Sequence, residues 1–376
     1  MKFVISSTEL LGHLSSVSKV ISSKHTLPIL DNFLFNLKGS ELVITATDLE
    51  TTMITRIELD NADGEGILAL EARRLTSMLK EFPEQPLTFE IDMDTLQVDI
   101  LSENGKFSIV GQNGEDFPQL PEIQDENSTS LKLSSNMFSV GISKTIFATA
   151  DDELRPVMNG IFIDIQTNSI TFVASDSHKL VRYRRLDVAV ADETKFILPK
   201  KPASLLKNIL PIDETEITLQ TDKNNAFFSI NGYELICRLV EGEYPSYDAV
   251  IPADSPNKMI IDRLTMATTI KRVAVFSNQA SNLIKMKLEP NQLTISAQDI
   301  DFSISAYEKL NCQYDGEEME IGFKSVFLSE ILSNINASNV VVELSDPSRA
   351  GLILPVDKDN ESEDELMLLM PMMINA

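Results

Sequence analysis

Three histidines are the side chains of this sequence best suited to acid–base or metal chemistry. His178 ends the triplet Asp176-Ser177-His178, whose carboxylate and imidazole could form an acid–base pair or part of a metal site. His13 falls in a predicted helix and His25 in a predicted loop. A hydrolase that uses Asp176 and His178 is therefore one hypothesis for the function.

Motifs of the common enzyme classes are absent from the sequence. There is no Gly-rich phosphate loop, no His-Glu-x-x-His, no Gly-x-Ser-x-Gly and no cysteine pair at metal-ligand spacing. Cys237 and Cys312 lie in separate strand-like runs, which favours buried thiols over a disulfide. We therefore expect no catalytic activity, no cofactor and no metal.

The aspartate of the His178 triplet recurs in two other stretches. Asp48, Asp176 and Asp299 lie 128 and 123 positions apart, and each follows a run in which apolar and polar residues alternate. The apolar positions of these runs are Leu42, Ile44 and Ala46; Ile170, Phe172 and Ala174; and Leu293, Ile295 and Ala297. Because only the middle copy carries a histidine, we interpret the aspartates as turn residues that end a strand.

Amphipathic helices precede these strands at similar intervals. Their apolar faces are Leu10, Leu14, Val17 and Ile21; Phe138, Ile142 and Ile146; and Met266, Ile270 and Val273. A second helix follows in each unit, over 71–81, 199–210 and 322–335. The predicted fold class is α+β, with three tandem similar domains that each pack two helices on curved antiparallel sheet. Pro-bearing segments place the domains at 1–125, 129–252 and 254–376.

The net charge of the sequence is strongly acidic and is unevenly distributed. The chain carries 32 basic and 57 acidic residues, a net charge of −25, which argues against binding of nucleic acid. The six predicted helices nevertheless sum to +7, so −32 remains on the other segments. Such a chain could attract a polyanion to its helices while the remaining surface repels it.

The lengths of the apolar segments indicate where in the cell the protein is located. No stretch reaches the ~18 apolar residues of a membrane span, and the apolar start from Met1 to Ile5 is too short for a secretory signal. We expect a soluble, cytoplasmic protein.

Several longer motifs resemble the β subunits of bacterial DNA polymerase III, the DNA sliding clamp family. They occur in the family's order from end to end of the chain. They are Lys24-His25-Thr26-Leu27-Pro28-Ile29-Leu30, Arg155-Pro156-Val157-Met158-Asn159-Gly160, Ala174-Ser175-Asp176-Ser177-His178-Lys179-Leu180, Glu243-Tyr244-Pro245 and Met370-Pro371-Met372.

The resemblance implies a DNA clamp fold and a processivity factor, in which two protomers join head to tail into a closed ring around duplex DNA. The helices would line the hole and contact phosphates without reading bases. Family contacts carry over to Lys24 and Arg155, and the helices add further cations. These are Arg73, Arg74, Lys80, Lys144, Lys200, Lys201, Lys207 and Lys271. Such a clamp would be associated with the nucleoid during replication.

A second site implied by the resemblance is an apolar pocket for short linear motifs. Its ligands would come from the replicative polymerase, the clamp loader, other polymerases and repair proteins. The matching positions are Met158, Ser175, Ser177, His178, Lys179, Leu180, Pro245, Val250, Ser348, Leu368, Met370, Pro371 and Met372. Several members have Arg where this chain has Ala249 and Met373, which affects the preferred motif.

The interface between protomers is the third implied site. It would pair the strand of Phe107 and Ile109 with Val275 and Phe276 of a second copy. The alternative function is an acidic repeat scaffold that binds protein peptides without DNA. Replacing Lys200 and Lys201 by Glu would leave such a scaffold unaffected.

Overall fold

The computed structural model describes residues 1–22, 27–123, 128–211, 213, 215–357 and 360–374. Lys24 and His25, for which we predicted a DNA contact and a loop, lie outside the described residues. The chain forms two compact units, the first of Met1–Ser139 with Ser204–Leu239, the second of Val140–Ala203 with Val240–Ala376. The boundaries given above for three domains stay predictions.

Strands make up most of the regular structure. In chain order they are β1 (Lys2–Ser6), β2 (Asn32–Lys38), β3 (Glu41–Thr47), β4 (Thr51–Glu58), β5 (Asn61–Asp63), β6 (Gly66–Glu71), β7 (Pro86–Asp92), β8 (Gln97–Leu101), β9 (Lys106–Val110), β10 (Gln112–Asn113), β11 (Thr129–Ser134), β12 (Gly160–Gln166), β13 (Ser169–Ser175), β14 (Lys179–Arg185), β15 (Thr194–Pro199), β16 (Glu216–Thr221), β17 (Asn225–Ile230), β18 (Tyr233–Arg238), β19 (Asn257–Asp262), β20 (Leu283–Glu289), β21 (Gln292–Asp299), β22 (Ile304–Asn311), β23 (Gln313–Tyr314), β24 (Met319–Lys324), β25 (Asn339–Leu344), β26 (Gly351–Pro355) and β27 (Glu363–Leu369).

Six α-helices occur in the described part of the chain, and each begins at the residue directly after a strand. They are α1 (Ser7–Val17), α2 (Ala72–Lys80), α3 (Ser135–Thr145), α4 (Lys200–Ile209), α5 (Arg263–Ala274) and α6 (Ser325–Asn334). The last helix is shorter than predicted, because residues 322–324 belong to β24 and pair with β20. None of these helices is long and apolar enough to span a membrane.

The first unit contains two antiparallel sheets. Five strands lie in the order β5-β1-β7-β8-β9, and nine in the order β10-β6-β2-β3-β4-β18-β17-β16-β11. In the larger sheet, β4 pairs with β18, so that Met53 stands opposite Leu235. Strands far apart in the sequence thus form one continuous sheet.

The second unit repeats this arrangement. Nine strands lie in the order β15-β12-β13-β14-β27-β26-β25-β19-β23, and four in the order β22-β21-β20-β24. The distant strands β14 and β27 pair along seven residues, with Leu180 opposite Leu368. This pairing forms the framework of the candidate site.

The buried faces of the helices agree with the predicted apolar faces, except at one residue after α1 and one after α3. Leu10, Leu14 and Val17 are fully buried on α1. The predicted Ile21 is only half-buried, and Val20 is fully buried instead. The reason is that α1 gives way to a 3-10 turn over Ser18–Val20, whose tighter winding shifts the buried position by one residue.

The corresponding faces of α3 and α5 agree with the prediction except at one position. Phe138 and Ile142 are buried, whereas Ile146 lies beyond α3 in a 3-10 turn and is half-buried. Met266, Ile270 and Val273 are all buried. The α-helical period thus predicts the core wherever the α-helix continues.

The three repeated aspartates end their strands as predicted. The Oδ1 atom of Asp48 accepts hydrogen bonds from the amides two and three residues later, at 3.1 and 2.7 Å. Asp176 does the same at 2.9 Å for both bonds, and Asp299 at 3.0 and 3.4 Å. Their interpretation as turn residues is confirmed.

Candidate functional site

An apolar cluster on β13, β14, β15, β26 and β27 contains Leu180 and Leu368 of the predicted peptide pocket. Its buried members are Val173, Leu180, Ile197, Tyr244, Ala350, Leu352, Leu366 and Leu368. Leu368 stands between Leu180 and Leu352 in adjacent strands, which makes a row of aliphatic side chains across the sheet. Tyr244 stacks on Phe162 with ring centroids 5.1 Å apart. We call these residues the docking cluster.

The turn beside the docking cluster is rigidly held. Ser177 adopts a positive φ of 76°, and its amide donates to Ser175 Oγ at 3.2 Å. Its hydroxyl accepts a hydrogen bond from Arg155 Nη1 and lies 3.5 Å from Met158 Sδ. The turn thus brings together three of the predicted pocket residues, Met158, Ser175 and Ser177.

Asp176 and His178 do not form the acid–base pair considered above. The Asp176 carboxylate accepts from the backbone amides of His178 and Lys179 and from Lys179 Nζ at 2.8 Å. Burial acts to raise the pKa of Asp176, but the hydrogen bonds from Lys179 and His178 outweigh it and lower that pKa. The His178 ring instead stacks on Phe327, with centroids 5.5 Å apart.

Lys179 differs from the prediction that it lines a pocket. It is 4% exposed, and its ammonium lies 2.8 Å from Asp176 Oδ2 and 2.9 Å from Glu330 Oε2. The same Nζ lies 4.5 Å from the centroid of the Phe327 ring. Because these partners occupy the cation, Lys179 holds the turn against α6 and is not presented to a ligand.

The remaining predicted pocket residues lie around this framework. Met370 donates its amide to His178 O at 2.8 Å and is exposed, and Met372 donates to Gly322 O at 2.8 Å. Val250 is 55% exposed and precedes Ile251, which packs on the docking cluster. Of the predicted pocket residues, only Leu180 and Leu368 belong to the docking cluster itself, and Pro245, Ser348 and Pro371 lie outside it.

Phe327 and Lys324 are neighbours of the site that the sequence analysis missed. Phe327 stacks against the His178 ring, and Lys324 Nζ lies 4.8 Å from the centroid of the Phe327 ring. The available signal was a Phe in a helix whose Leu328, Ile331 and Leu332 form the buried face. That signal does not distinguish a core side chain from one that supports a site.

Most predicted DNA-binding cations are exposed on helices. The exposed ones are Arg73, Arg74, Lys80, Lys200, Lys207 and Lys271, and Arg155 is exposed in a loop. Lys201 is half-buried and has a partner of its own. Lys271 lines a groove of about 560 Å³ between α5 and α6, beside Ser325 and Ser329.

Lys144, which we predicted to contact DNA, is instead paired with a buried carboxylate. Its Nζ lies 3.0 Å from Glu365 Oε2 and donates to Asn334 O at 3.4 Å, and the two charged side chains are 17% and 7% exposed. Burial raises the pKa of Glu365, and Lys144 opposes that shift. The lysine compensates a buried carboxylate, so its position argues against a role in DNA binding.

Two strands expose apolar residues at the edge of a sheet. In the first unit, β9 ends the five-stranded sheet and carries Phe107, which is 39% exposed, and half-buried Ile109. In the second unit, β22 ends the four-stranded sheet and carries Ile304 and Tyr307, both exposed. The predicted interface residues Val275 and Phe276 follow α5 and are also exposed. The sequence analysis missed β22.

The remaining candidate reactive side chains, His13, Cys237 and Cys312, are packed against other residues of the fold. His13 Nδ1 lies 2.6 Å from Thr55 Oγ1, and burial lowers the pKa of His13. Cys237 is buried, which raises the pKa of its thiol to about 12, and Cys312 is half-buried. In the described ranges, no three His, Cys, Asp or Glu side chains form a group suited to a metal ion.

These features define a class of protein: a repetitive α+β chain with an apolar docking cluster and cations on its helices. Three family models match the chain in tandem, for the DNA polymerase III beta subunit. The N-terminal domain matches residues 1–121, the central domain 132–246 and the C-terminal domain 248–372. The chain therefore belongs to the family of bacterial DNA polymerase III β subunits. Its function is that of a DNA sliding clamp for the replicative polymerase.

Relatives resemble the chain along its whole length. A beta sliding clamp of Vibrio cholerae is 28% identical over 361 residues, covering 96% of this chain and 97% of the relative. A beta sliding clamp of Chlamydia pneumoniae is also 28% identical and covers all of both chains.

Solved structures have the same fold. The sliding clamp of Pseudomonas aeruginosa bound to griselimycin superposes with a TM-score of 0.92 at 26% identity over both whole chains. The β subunit of Thermotoga maritima gives a TM-score of 0.90 at 25% identity. The predicted fold class and family are confirmed, and the scaffold without DNA is not favoured.

Proposed function

We propose that two copies of this chain join head to tail into a ring around duplex DNA and tether replication and repair proteins through the docking cluster. The observation that carries this proposal is the pair of apolar edge strands, β9 in the first unit and β22 in the second. A free edge offers unpaired backbone groups to another chain. Pairing β9 of one copy with β22 of another would satisfy both edges and bury the exposed Phe107 and Ile304.

Duplex DNA is the ligand proposed for the helices. Lys200 and Lys207 are exposed on α4 and Lys271 on α5, where they can contact phosphates without reading bases. The net charge of −25 keeps nucleic acid away from the rest of the surface. Enclosure supplies retention, so each phosphate contact can be weak and the clamp can slide.

Short linear motifs are the ligands proposed for the docking cluster. Its aliphatic row suits Leu or Phe side chains of an extended peptide, and the flexible Met370 at its margin can adapt to several motifs. The replicative polymerase, the clamp loader, other polymerases and repair proteins are the proposed partners. Such a clamp works in the cytoplasm, at the nucleoid.

Catalysis is not part of the proposal. Asp176 is engaged by Lys179 and by backbone amides, and the His178 ring packs on Phe327, so neither is arranged for proton transfer to a substrate. Replacing His178 by Ala should weaken peptide binding without removing any turnover.

Retention on DNA after loading by a clamp loader tests the ring. The protein should stay on closed circular DNA and leave the same DNA within minutes once a single cut opens it, because only an enclosing ring escapes through an end. Equal retention on cut and closed DNA would contradict the proposal. The scaffold alternative predicts no retention on either.

A further inference from the structure

Arg182 lies beside the docking cluster, on strand β14. It stands opposite Val173 on β13 and opposite Leu366 on β27, and both neighbours belong to the cluster. Side chains alternate between the two faces of a strand, so Arg182 shares the face of Leu180 two residues earlier. A guanidinium is therefore built into the same surface as the aliphatic row.

The nitrogens of this guanidinium are held unequally. Nη2 donates to Asp364 Oδ2 at 2.7 Å, a short charge-assisted bond. Nη1 lies 3.8 Å from Asp248 Oδ1, which is beyond hydrogen-bond distance. Nε is buried and makes no hydrogen bond within the described residues. The guanidinium thus has donor capacity that the fold leaves unused.

Unused capacity of this kind points to a ligand rather than to stability. A charged group placed to stabilise the fold normally has its buried donors paired, and an unpaired buried donor is costly. The Asp248 side chain is 68% exposed, whereas 15% of the Arg182 side chain is exposed. An exposed carboxylate therefore lies near a largely buried cation.

We propose that Arg182 is a specificity-determining residue of the docking site and binds a carboxylate that the peptide carries beside its apolar anchor. The inference rests on the proposed docking function. The ligand's carboxylate displaces Asp248 and accepts a hydrogen bond from Nη1, while Asp364 keeps Nη2 in place. Asp248 competes for the same cation, so peptides without a carboxylate gain nothing from Arg182.

Two sources can supply this carboxylate, an acidic side chain or the end of the peptide chain. Three versions of one peptide with Leu and Phe anchors separate them. The first has Asp beside the anchors and an amidated end, the second has Asn and an amidated end, and the third has Asn and a free end. Their dissociation constants are measured by calorimetry with the full-length protein.

The unaltered protein should bind the Asp peptide or the free-end peptide about tenfold more tightly than the neutral peptide. Arg182→Gln should remove that difference and leave the affinity for the neutral peptide within about twofold. Asp248→Asn should strengthen binding of the carboxylate peptide by removing its competitor. Lys258→Gln is the matched control, since Lys258 is a 60% exposed cation that pairs with Glu343 on β25, outside the docking cluster.

Equal affinity of the unaltered protein for all three peptides would overturn the role of Arg182 while the docking function stands. Failure of all three to bind would instead contradict the docking function. If Arg182→Gln does not fold, Asp248→Asn decides, because it alters an exposed side chain. An unchanged peptide preference in that variant would overturn the proposal.

Discussion

At the scale of single residues, two lysines that the sequence suggests as ligand-binding cations are buried and paired with carboxylates. Lys144 and Lys179 belong to segments that look basic in the sequence, yet each is covered and paired with carboxylates. Removing one member of such a pair leaves the other charge buried without compensation. These two lysines therefore contribute to stability, which can be measured separately from DNA binding.

Lys144→Met is expected to lower the free energy of unfolding by about 3 kcal/mol, because Glu365 would then be buried alone. Urea unfolding at neutral pH measures the change. Lys258→Met is the control, since Lys258 is 60% exposed in its pair with Glu343 and its loss should leave the free energy of unfolding unchanged. Similar losses in both variants would show that burial is not the cause.

The pKa of Asp176 gives a pH-dependent prediction. Its folded-state pKa lies below the usual 3.8, so the carboxylate contributes stability above that pH and loses it as the pH falls through the lowered value. Asp176→Asn should therefore be less stable than the unaltered protein at pH 7. That difference should shrink when urea unfolding is repeated at about pH 3. A difference independent of pH would assign the effect to turn geometry alone.

Local sequence was sufficient for some residues and insufficient for others. The turn role of Asp48, Asp176 and Asp299 follows from short-range hydrogen bonds, so one stretch of sequence contains the whole cause. By contrast, Glu365 is about 220 positions from Lys144, and Glu330 is about 150 positions from Lys179, although Asp176 is only three away. A sum of charges over a helix cannot reveal such partners.

At the scale of elements, the exposed edge strands β9 and β22 are the proposed sites of association. The strand of Phe107 and Ile109 was predicted as an interface from the family resemblance. β22 was missed because its exposed Ile304 and Tyr307 look in sequence like an ordinary half-buried strand. Only the strand order shows that β22 has a partner on one side alone in the described sheet. Edge status depends on the whole sheet and cannot be read from a single strand.

Ile304→Lys is expected to turn the proposed dimer into monomers, because a charge would be placed in the apolar contact between β22 and a partner's β9. Sedimentation velocity at micromolar concentration measures the change. Leu186→Lys is the matched control, since Leu186 is also exposed in the second unit but follows β14 outside both edges. A dimer that persists in Ile304→Lys would contradict the proposed pairing.

At the scale of the whole molecule, charge is divided between the helices and the rest of the surface. The chain has a net charge of −25, yet most of the cations on its helices are exposed. Binding through phosphates weakens as salt rises, and a protein that neutralises fewer phosphates depends less on salt. Sliding requires many such weak interactions and no strong one.

Replacing both Lys200 and Lys207 by Glu should shorten retention on circular DNA at least tenfold and weaken its dependence on salt, since two phosphate contacts become repulsive. Lys132→Glu is the control, because Lys132 is a 72% exposed lysine on β11 rather than on a helix. Peptide binding should be unchanged in both variants. Unaltered retention in the double variant would exclude α4 from the DNA surface.

The pairing of β4 with β18 has a consequence for any attempt to dissect the chain. These strands lie in segments matched by two different family models, yet they share one ladder of backbone hydrogen bonds. The same holds for β14 and β27. We expect residues 132–246 expressed alone to leave β14 and β18 as unpaired edge strands and to aggregate through them. The repeats are separable in sequence, but each of these two sheets is built from strands of two repeats.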